Sequence, residues 1–275
     1  MTYFQALILG IVQGASEFLP ISSSGHLVIF QKLLGVDLGE SYLAFEILLH
    51  IGTLISVLIM FRKDICGMFI AFFKIIGELL TKGRVDMKKS EYRKLIVMLI
   101  IATAPLIIGA LLENYIENLF TSVLFVGFAL LITGGILIAT DRFKNSAKTL
   151  QTAKYSDAVA VGFAQLIAVL PGISRSGSTI FGGAIMGFSR EFAVRFSFLL
   201  SMMAILGAAA ISIKDFTGGA IAANWGPAVL GAVTAAIVGI LAIKWLIRLI
   251  SKGKSYSILS VYCFIVGLIT IITSL

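Results

Sequence analysis

Glu17, His26 and Arg175 are the ionisable side chains that an apolar sequence is least able to keep without using them. Gln13 and Glu17 are spaced i, i+4, so both project from one helix face, where their oxygens suit a hard divalent cation or an oriented water. The run Ser22-Ser23-Ser24-Gly25-His26 follows. Its glycine admits close approach of backbone to a ligand, and hydroxyls with the amides of a following helix N-terminus favour a phosphate. His26 suits general acid–base work or activation of a serine. Attack on phosphorus by a serine and attack by His26 are both open readings. His50, four residues after Glu46 in an apolar run, reads more simply as a hydrogen-bonded core histidine. In a second run, Ser174-Arg175-Ser176-Gly177-Ser178-Thr179, a lone guanidinium stands among hydroxyls and can grip phosphate oxygens bidentately. The plainer alternative is a structural pair between Arg175 and Glu17. Taken together, one acid, one histidine, one arginine and many hydroxyls describe phosphoester or pyrophosphate hydrolysis at membrane depth, on a substrate with a lipid tail.

These residues must be held by elements built for lipid. Of 275 residues, 59% are hydrophobic and 13% charged, whereas a soluble domain carries about 25% charged residues. That excludes a cytosolic globular enzyme, a nucleic-acid module and a disordered regulator. Apolar runs at about 43–61, 94–112, 119–140, 193–213, 226–247 and 256–274 predict six transmembrane helices, at ~20 residues per crossing. The stretch 65–80 carries Lys74 and Glu78 and predicts an interfacial helix instead. Residues 4–35 and 156–188 are apolar at both ends, but Pro, Gly and hydroxyl residues break their centres. Bare backbone cannot face lipid, so both predict re-entrant helix–loop–helix hairpins buried in protein. Cys66 and Cys263 form no metal or disulfide pattern, and no cleavable signal peptide is expected at the start.

The two broken stretches are copies of each other. Ala6, Gly10, Gln13, Ile21, Ser22, Ser24, Gly25 and Gly35 fall on Ala158, Gly162, Gln165, Ile173, Ser174, Ser176, Gly177 and Gly187 at one constant offset. Charge then sets the topology. Every Lys and Arg except Lys32, Arg175 and Lys214 belongs to four segments, 62–94, 141–157, 190–195 and 244–254, which are expected in the cytoplasm. Asp37, Glu40, Glu113, Glu117 and Asp215, with Lys32 and Lys214, are expected outside. The net charge of +8 is thus a topological signal and not a nucleic-acid surface. The expected fold is an all-α polytopic membrane protein forming a single integral domain. It is an inverted-topology repeat of 1–140 and 156–275, with two re-entrant hairpins, six transmembrane helices and both termini extracytoplasmic. Such an architecture places a polar site near the midplane, at the repeat interface.

At this point the motifs carry a resemblance. QGASEFLPISSSGH resembles the (E/Q)xxxE-plus-PxSSxGH element, and PGISRSGST the PGxSRSxxT element, of the undecaprenyl-diphosphate phosphatase or bacitracin-resistance family. The resemblance runs through nearly the whole chain. It implies hydrolysis of undecaprenyl diphosphate to the monophosphate and phosphate, which recycles the lipid carrier of peptidoglycan synthesis and confers bacitracin resistance. It implies residence in the bacterial plasma membrane, a polyprenyl diphosphate lipid as partner, dependence on Mg2+ or Ca2+, and room for a homodimer. Carried over residue by residue, Glu17, His26, Ser23 and Arg175 are catalytic. Ser22, Ser24, Ser174, Arg175, Ser176 and Thr179 bind substrate, and Glu17 with Gln13 holds the metal. Gln13 is a weaker ligand than the Glu that the motif also allows. A transporter or flippase of a phosphorylated polyprenyl lipid is the competing class, because inverted repeats with broken helices serve transport.

Overall fold

The computed structural model describes residues 1–36, 40–112, 119, 122–143, 145–211 and 225–275. The expected outer charges Asp37, Glu113, Glu117, Lys214 and Asp215, and the basic residue Lys144, lie outside these. Among the described residues the chain forms twelve α-helices and no strand beyond one isolated bridge, Lys148 with Phe188. They are α1 (Tyr3–Phe18), α2 (Ser23–Leu34), α3 (Glu40–Met60), α4 (Arg62–Lys82), α5 (Glu91–Thr103), α6 (Leu106–Leu111), α7 (Val123–Asp141), α8 (Tyr155–Ile167), α9 (Arg175–Ile185), α10 (Arg190–Ile211), α11 (Trp225–Ser251) and α12 (Ser257–Ser274).

Five segments are long and apolar enough to cross a membrane: Glu91–Leu111, Val123–Asp141, Arg190–Ala210, Trp225–Ser251 and Ser257–Ser274. The first joins α5 and α6, interrupted at Pro105, which has no N–H for the helical ladder. A sixth is counted if α3 and α4 are taken together, although the chain bends by 86° between them. The sharp bend at Phe61 sends α4 away from α3. On α4, Met68 and Ala71 face the core, while Phe69, Ile70, Phe72, Phe73, Leu79 and Leu80 are exposed. The helix extends beyond the expected 65–80 at both ends.

Small residues decide which helices meet, because in lipid close backbone approach must supply what the hydrophobic effect does not. A Cβ on Gly10 would lie 2.6 Å from Gly231 O, and one on Gly14 2.6 Å from Ala235 O, so α1 lies directly on α11. A Cβ on Gly162 would lie 2.7 Å from Ala102 O, which places α8 against α5 in the same way. Further pairs are α3 with α11, α5 with α10, and α7 with α12.

The basic segments are tied to one another at one end of the bundle. Arg195 pairs with Asp64, Arg190 with Asp141, and Asp141 also accepts from Ser255 Oγ and the Tyr256 N–H. Lys94 donates to Gln151 O at 2.8 Å, and Gln151 to Glu91 at 2.6 Å. Hydrogen bonds from Arg93 and Lys89 hold the Glu78 carboxyl well below the usual carboxylate range. Each broken stretch has its own two ends close together. Gln5 Nε2 donates to Leu34 O at 3.1 Å, and Lys148, in the segment leading into α8, exchanges backbone hydrogen bonds with Gly187 and Ser189 just past α9.

Candidate active site

The broken stretches supply two helix N-termini with the same cap. Ser22 precedes α2 and accepts from the Gly25 N–H at 3.2 Å, and Ser174 precedes α9 and accepts from the Gly177 N–H at 3.1 Å. Serine is a good N-cap, its hydroxyl satisfying one of the helix's first free N–H groups. Pro20 and Pro171 stop α1 and the extension of α8 before these caps. Ser22 has φ 76° and ψ 101°, the one non-glycine residue with positive φ among those described. Such a conformation costs about 1–3 kcal/mol and persists only where neighbours enforce it, typically at functional sites.

The two loops touch. The Gly172 N–H donates to Ser24 Oγ at 3.4 Å, Ser176 Oγ donates to Leu19 O at 3.5 Å, and a Cβ on Gly25 would stand 3.0 Å from Gly172 Cα. Thr133 of α7 pins the second loop: its Oγ1 donates to Gly172 O at 3.0 Å and accepts from the Ser174 N–H at 3.1 Å.

At this junction Glu17 is the hub. Its Oε1 accepts from Arg175 Nη2. Its Oε2 accepts from Ser23 Oγ at 2.7 Å and Gln13 Nε2 at 3.1 Å, and lies 3.8 Å from His50 Nε2. The carboxylate side chain is 1% exposed, whereas Arg175 and His50 are 24% and 27% exposed. Two cationic or polar groups thus open outward around a closed acid. Gln13 Oε1 is buried with no hydrogen-bond partner, an oxygen left over on the side chain whose Nε2 binds Glu17.

The structure brings Gln13, Glu17, Ser23 and Arg175 into one cluster. Ser22, Ser24, Ser174 and Ser176 lie at the loop contact, with Ser22 and Ser24 3.4 Å and Ser174 and Ser176 3.3 Å apart at their Oγ atoms. Thr179 sits a turn further into α9, where its Oγ1 is 2.9 Å from Arg175 O and 2.6 Å from Ser197 Oγ. His26 is buried and does not join the Glu17 cluster through a hydrogen bond. Its ring nitrogens go to Ser22 O at 2.7 Å and to Tyr262 Oη at 2.9 Å. His50 is nearer the acid than the sequence implied. Thr133, Ser197 and Tyr262 carried no signal at all, being single hydroxyls in apolar runs.

Chemically, a serine hydrogen-bonded to a carboxylate has the arrangement of a nucleophile with a base. Two helix N-termini and a guanidinium are phosphate-binding parts. Comparison with known proteins points the same way. The family model described as bacitracin resistance protein BacA matches residues 6–269. An undecaprenyl-diphosphatase of Methanobrevibacter smithii is 43% identical, covering 100% of this chain and 99% of its own. Proteins of the same name from Halothermothrix orenii and Methanosphaera stadtmanae are 42% and 44% identical, covering 99% and 98% of this chain and 98% and 97% of theirs.

Proposed function

The chain belongs to the bacitracin resistance protein family, and on that footing we propose that it is a multi-pass membrane phosphatase that hydrolyses undecaprenyl diphosphate to undecaprenyl phosphate and phosphate. The observation that carries the chemistry is the 2.7 Å bond from Ser23 Oγ to Glu17. Transport alone needs an anion site, whereas a hydroxyl held on a buried carboxylate is a nucleophile–base pair.

The proposed course begins with the terminal phosphate entering between the two helix N-termini. Arg175 leaves Glu17 for the phosphate oxygens, where a planar fork matches them. Glu17, freed of its cation, takes the Ser23 proton as Oγ bonds to the terminal phosphorus. The bond from that phosphorus to the bridging oxygen breaks, and undecaprenyl phosphate departs with the electron pair and with the proton that Glu17 hands on. Water then releases phosphate from Ser23: Glu17 takes a proton from the attacking water and passes it to Oγ as the bond from Oγ to phosphorus breaks, which restores the carboxylate. Arg175 and the hydroxyls of Ser22, Ser24, Ser174 and Ser176, at the two helix N-termini, surround the charge that develops. Thr179 supports this set through the Arg175 carbonyl.

Divalent-cation dependence is proposed with it. The orphaned Gln13 Oε1 and the Glu17 carboxylate fit a hard cation by donor type. Among the described residues no group of three or more His, Cys, Asp or Glu could hold a metal. Mg2+ is commonly held by one or two carboxylates together with substrate phosphates, and Ca2+ by carboxylate and amide oxygens. When bound, it would neutralise phosphate charge.

The inverted repeat and the re-entrant hairpins are proposed on three supports. The ends of each hairpin lie together, the caps at Ser22 and Ser174 are equivalent, and the packing of α1 on α11 is matched by that of α8 on α5. The plasma membrane is the proposed location, with both termini outside and α4 lying in the interface. The homodimer that the resemblance allows has its test in the mass of the solubilised protein. The functional test is phosphate release from undecaprenyl diphosphate by the purified chain in detergent. Release is expected from the native protein and not from Ser23→Ala; lipid movement across vesicles without release would favour the transporter.

A further inference from the structure

Tyr262 touches His26 from α12, the helix packed on α7. Ser22 O is an acceptor only, so the His26 Nδ1 lying 2.7 Å from it carries the ring proton. In the neutral ring Nε2 is then an acceptor, and Tyr262 Oη, 2.9 Å away, is its donor. The two rings lie nearly parallel, 9° apart, with centroids 5.5 Å apart. Both nitrogens are therefore committed, and His26 has no lone pair turned toward a serine hydroxyl. What the ring grips is the carbonyl of Ser22, which also accepts the His26 backbone N–H at 3.2 Å. Ser22 is the residue in the positive-φ conformation, and Ser23, next in the chain, is the one hydrogen-bonded to Glu17. If Ser22 relaxed to negative φ, Ser23 Oγ would swing away from the carboxylate.

We propose that Tyr262 and His26 are a positioning pair and that His26 does not carry the proton. Tyr262 fixes the tautomer of His26, His26 clamps the Ser22 carbonyl, and the clamp holds Ser23 on Glu17. The inference rests on the hydrolytic reading above and adds to it a residue that no motif contains.

The test uses the full chain in detergent with undecaprenyl diphosphate. Asn places its side-chain amide N–H where His26 Nδ1–H stands, so it can keep the clamp but cannot shuttle a proton. His26→Ala should lose most of its kcat, while His26→Asn should stay within about tenfold of the native enzyme with KM and the shape of the pH profile retained, the loss expected of a weakened hydrogen bond. Tyr262→Phe should lower kcat about threefold to tenfold in the native background, as loss of one neutral hydrogen bond does. It should have no effect in the His26→Asn background. The chain has two histidines, so 15N-histidine NMR, with His50→Gln for assignment, reads the tautomer directly. The Nδ1–H form is expected in the native protein and a mixture in Tyr262→Phe. A folded His26→Asn protein as inactive as His26→Ala, an acid or base limb lost with the ring, or an Nε2–H tautomer would each overturn the pair. Absence of phosphate release by the native protein would instead overturn the hydrolytic reading, and the tautomer measurement would still decide whether Tyr262 orients His26.

Discussion

Arg175 is bound to Glu17 before any phosphate arrives, so the site rests as an ion pair that must open for either residue to act. Removing Arg175 outright would strand a carboxylate that is 1% exposed, and breaking a buried pair in this way costs about 3–5 kcal/mol. Arg175→Lys is the cleaner probe, because it keeps the charge and loses the fork. We expect kcat/KM to fall at least roughly tenfold, or ~1.4 kcal/mol of transition-state stabilisation. Near-normal turnover by the folded variant would reduce Arg175 to a point charge. In the proposed course Glu17 and Ser23 act on one proton, so their losses should not add. Glu17→Ala and Ser23→Ala should each nearly abolish release, with the double variant scarcely worse. Across a magnesium titration Glu17→Ala should also lose any stimulation by the cation, and residual activity with unchanged metal dependence would remove Glu17 from the metal site. These ionic residues were legible in the sequence because an apolar chain has few reasons to retain a Glu or an Arg. Thr133 and Tyr262 were not, because a hydroxyl in an apolar run has no spacing that distinguishes a partner from a passenger. Their partners lie 39 and 236 residues away in the chain.

The helices themselves were the easiest part to read, since a run of about 20 apolar residues has one economical fate in lipid. The breaks were equally plain: Pro, Gly and clustered hydroxyls end α1 before Ser22 and α8 before Ser174. The interruption of one crossing at Pro105 and the 86° turn after α3 were less so, because hydropathy records depth and not direction. Which helices meet was also hidden, for it depends on where small residues from distant segments coincide. Gly162 is an example away from the catalytic cluster. Backbone of α5 occupies the space a side chain would need, 2.7 Å from an added Cβ. Gly162→Val should therefore separate α8 from α5 and lower stability by about 1–3 kcal/mol, the usual cost of overpacking. Gly77 of α4 has nothing within 4 Å of an added Cβ, and Gly77→Ala should be neutral or stabilising by up to about 1 kcal/mol through helix propensity. Thermal unfolding of the two variants in one detergent compares them, and equal midpoints would remove the close-contact account of helix pairing.

At the scale of the molecule, two independent facts bear on orientation. The sequence concentrates its cations in four segments separated by apolar helices, and the fold ties three of them together at one end through Arg195–Asp64, Arg190–Asp141 and Lys94–Gln151, while Ser255 and Tyr256, just past the fourth, donate to Asp141. Loops joined by side-chain hydrogen bonds must share a side of the membrane, so the threading reduces to one question with two answers. On the proposed threading, cation excess places that side in the cytoplasm, each hairpin returns to the face it left, and the chain between them crosses an odd number of times. The first hairpin would then enter from outside and the second from inside, with Ser22 and Ser174 capping helices that approach each other from opposite faces, and both termini would fall outside. The measurement is made in intact cells on a chain with Cys66 and Cys263 replaced by Ala. Val85→Cys, in the basic segment after α4, should react with a membrane-impermeant maleimide only after the membrane is opened, whereas Thr2→Cys should react without opening it. Reaction of Val85→Cys from outside would invert the whole molecule. Reaction of both cysteines from the same face would break the odd count of crossings, and with it the opposition of the two hairpins on which the proposed phosphate site depends.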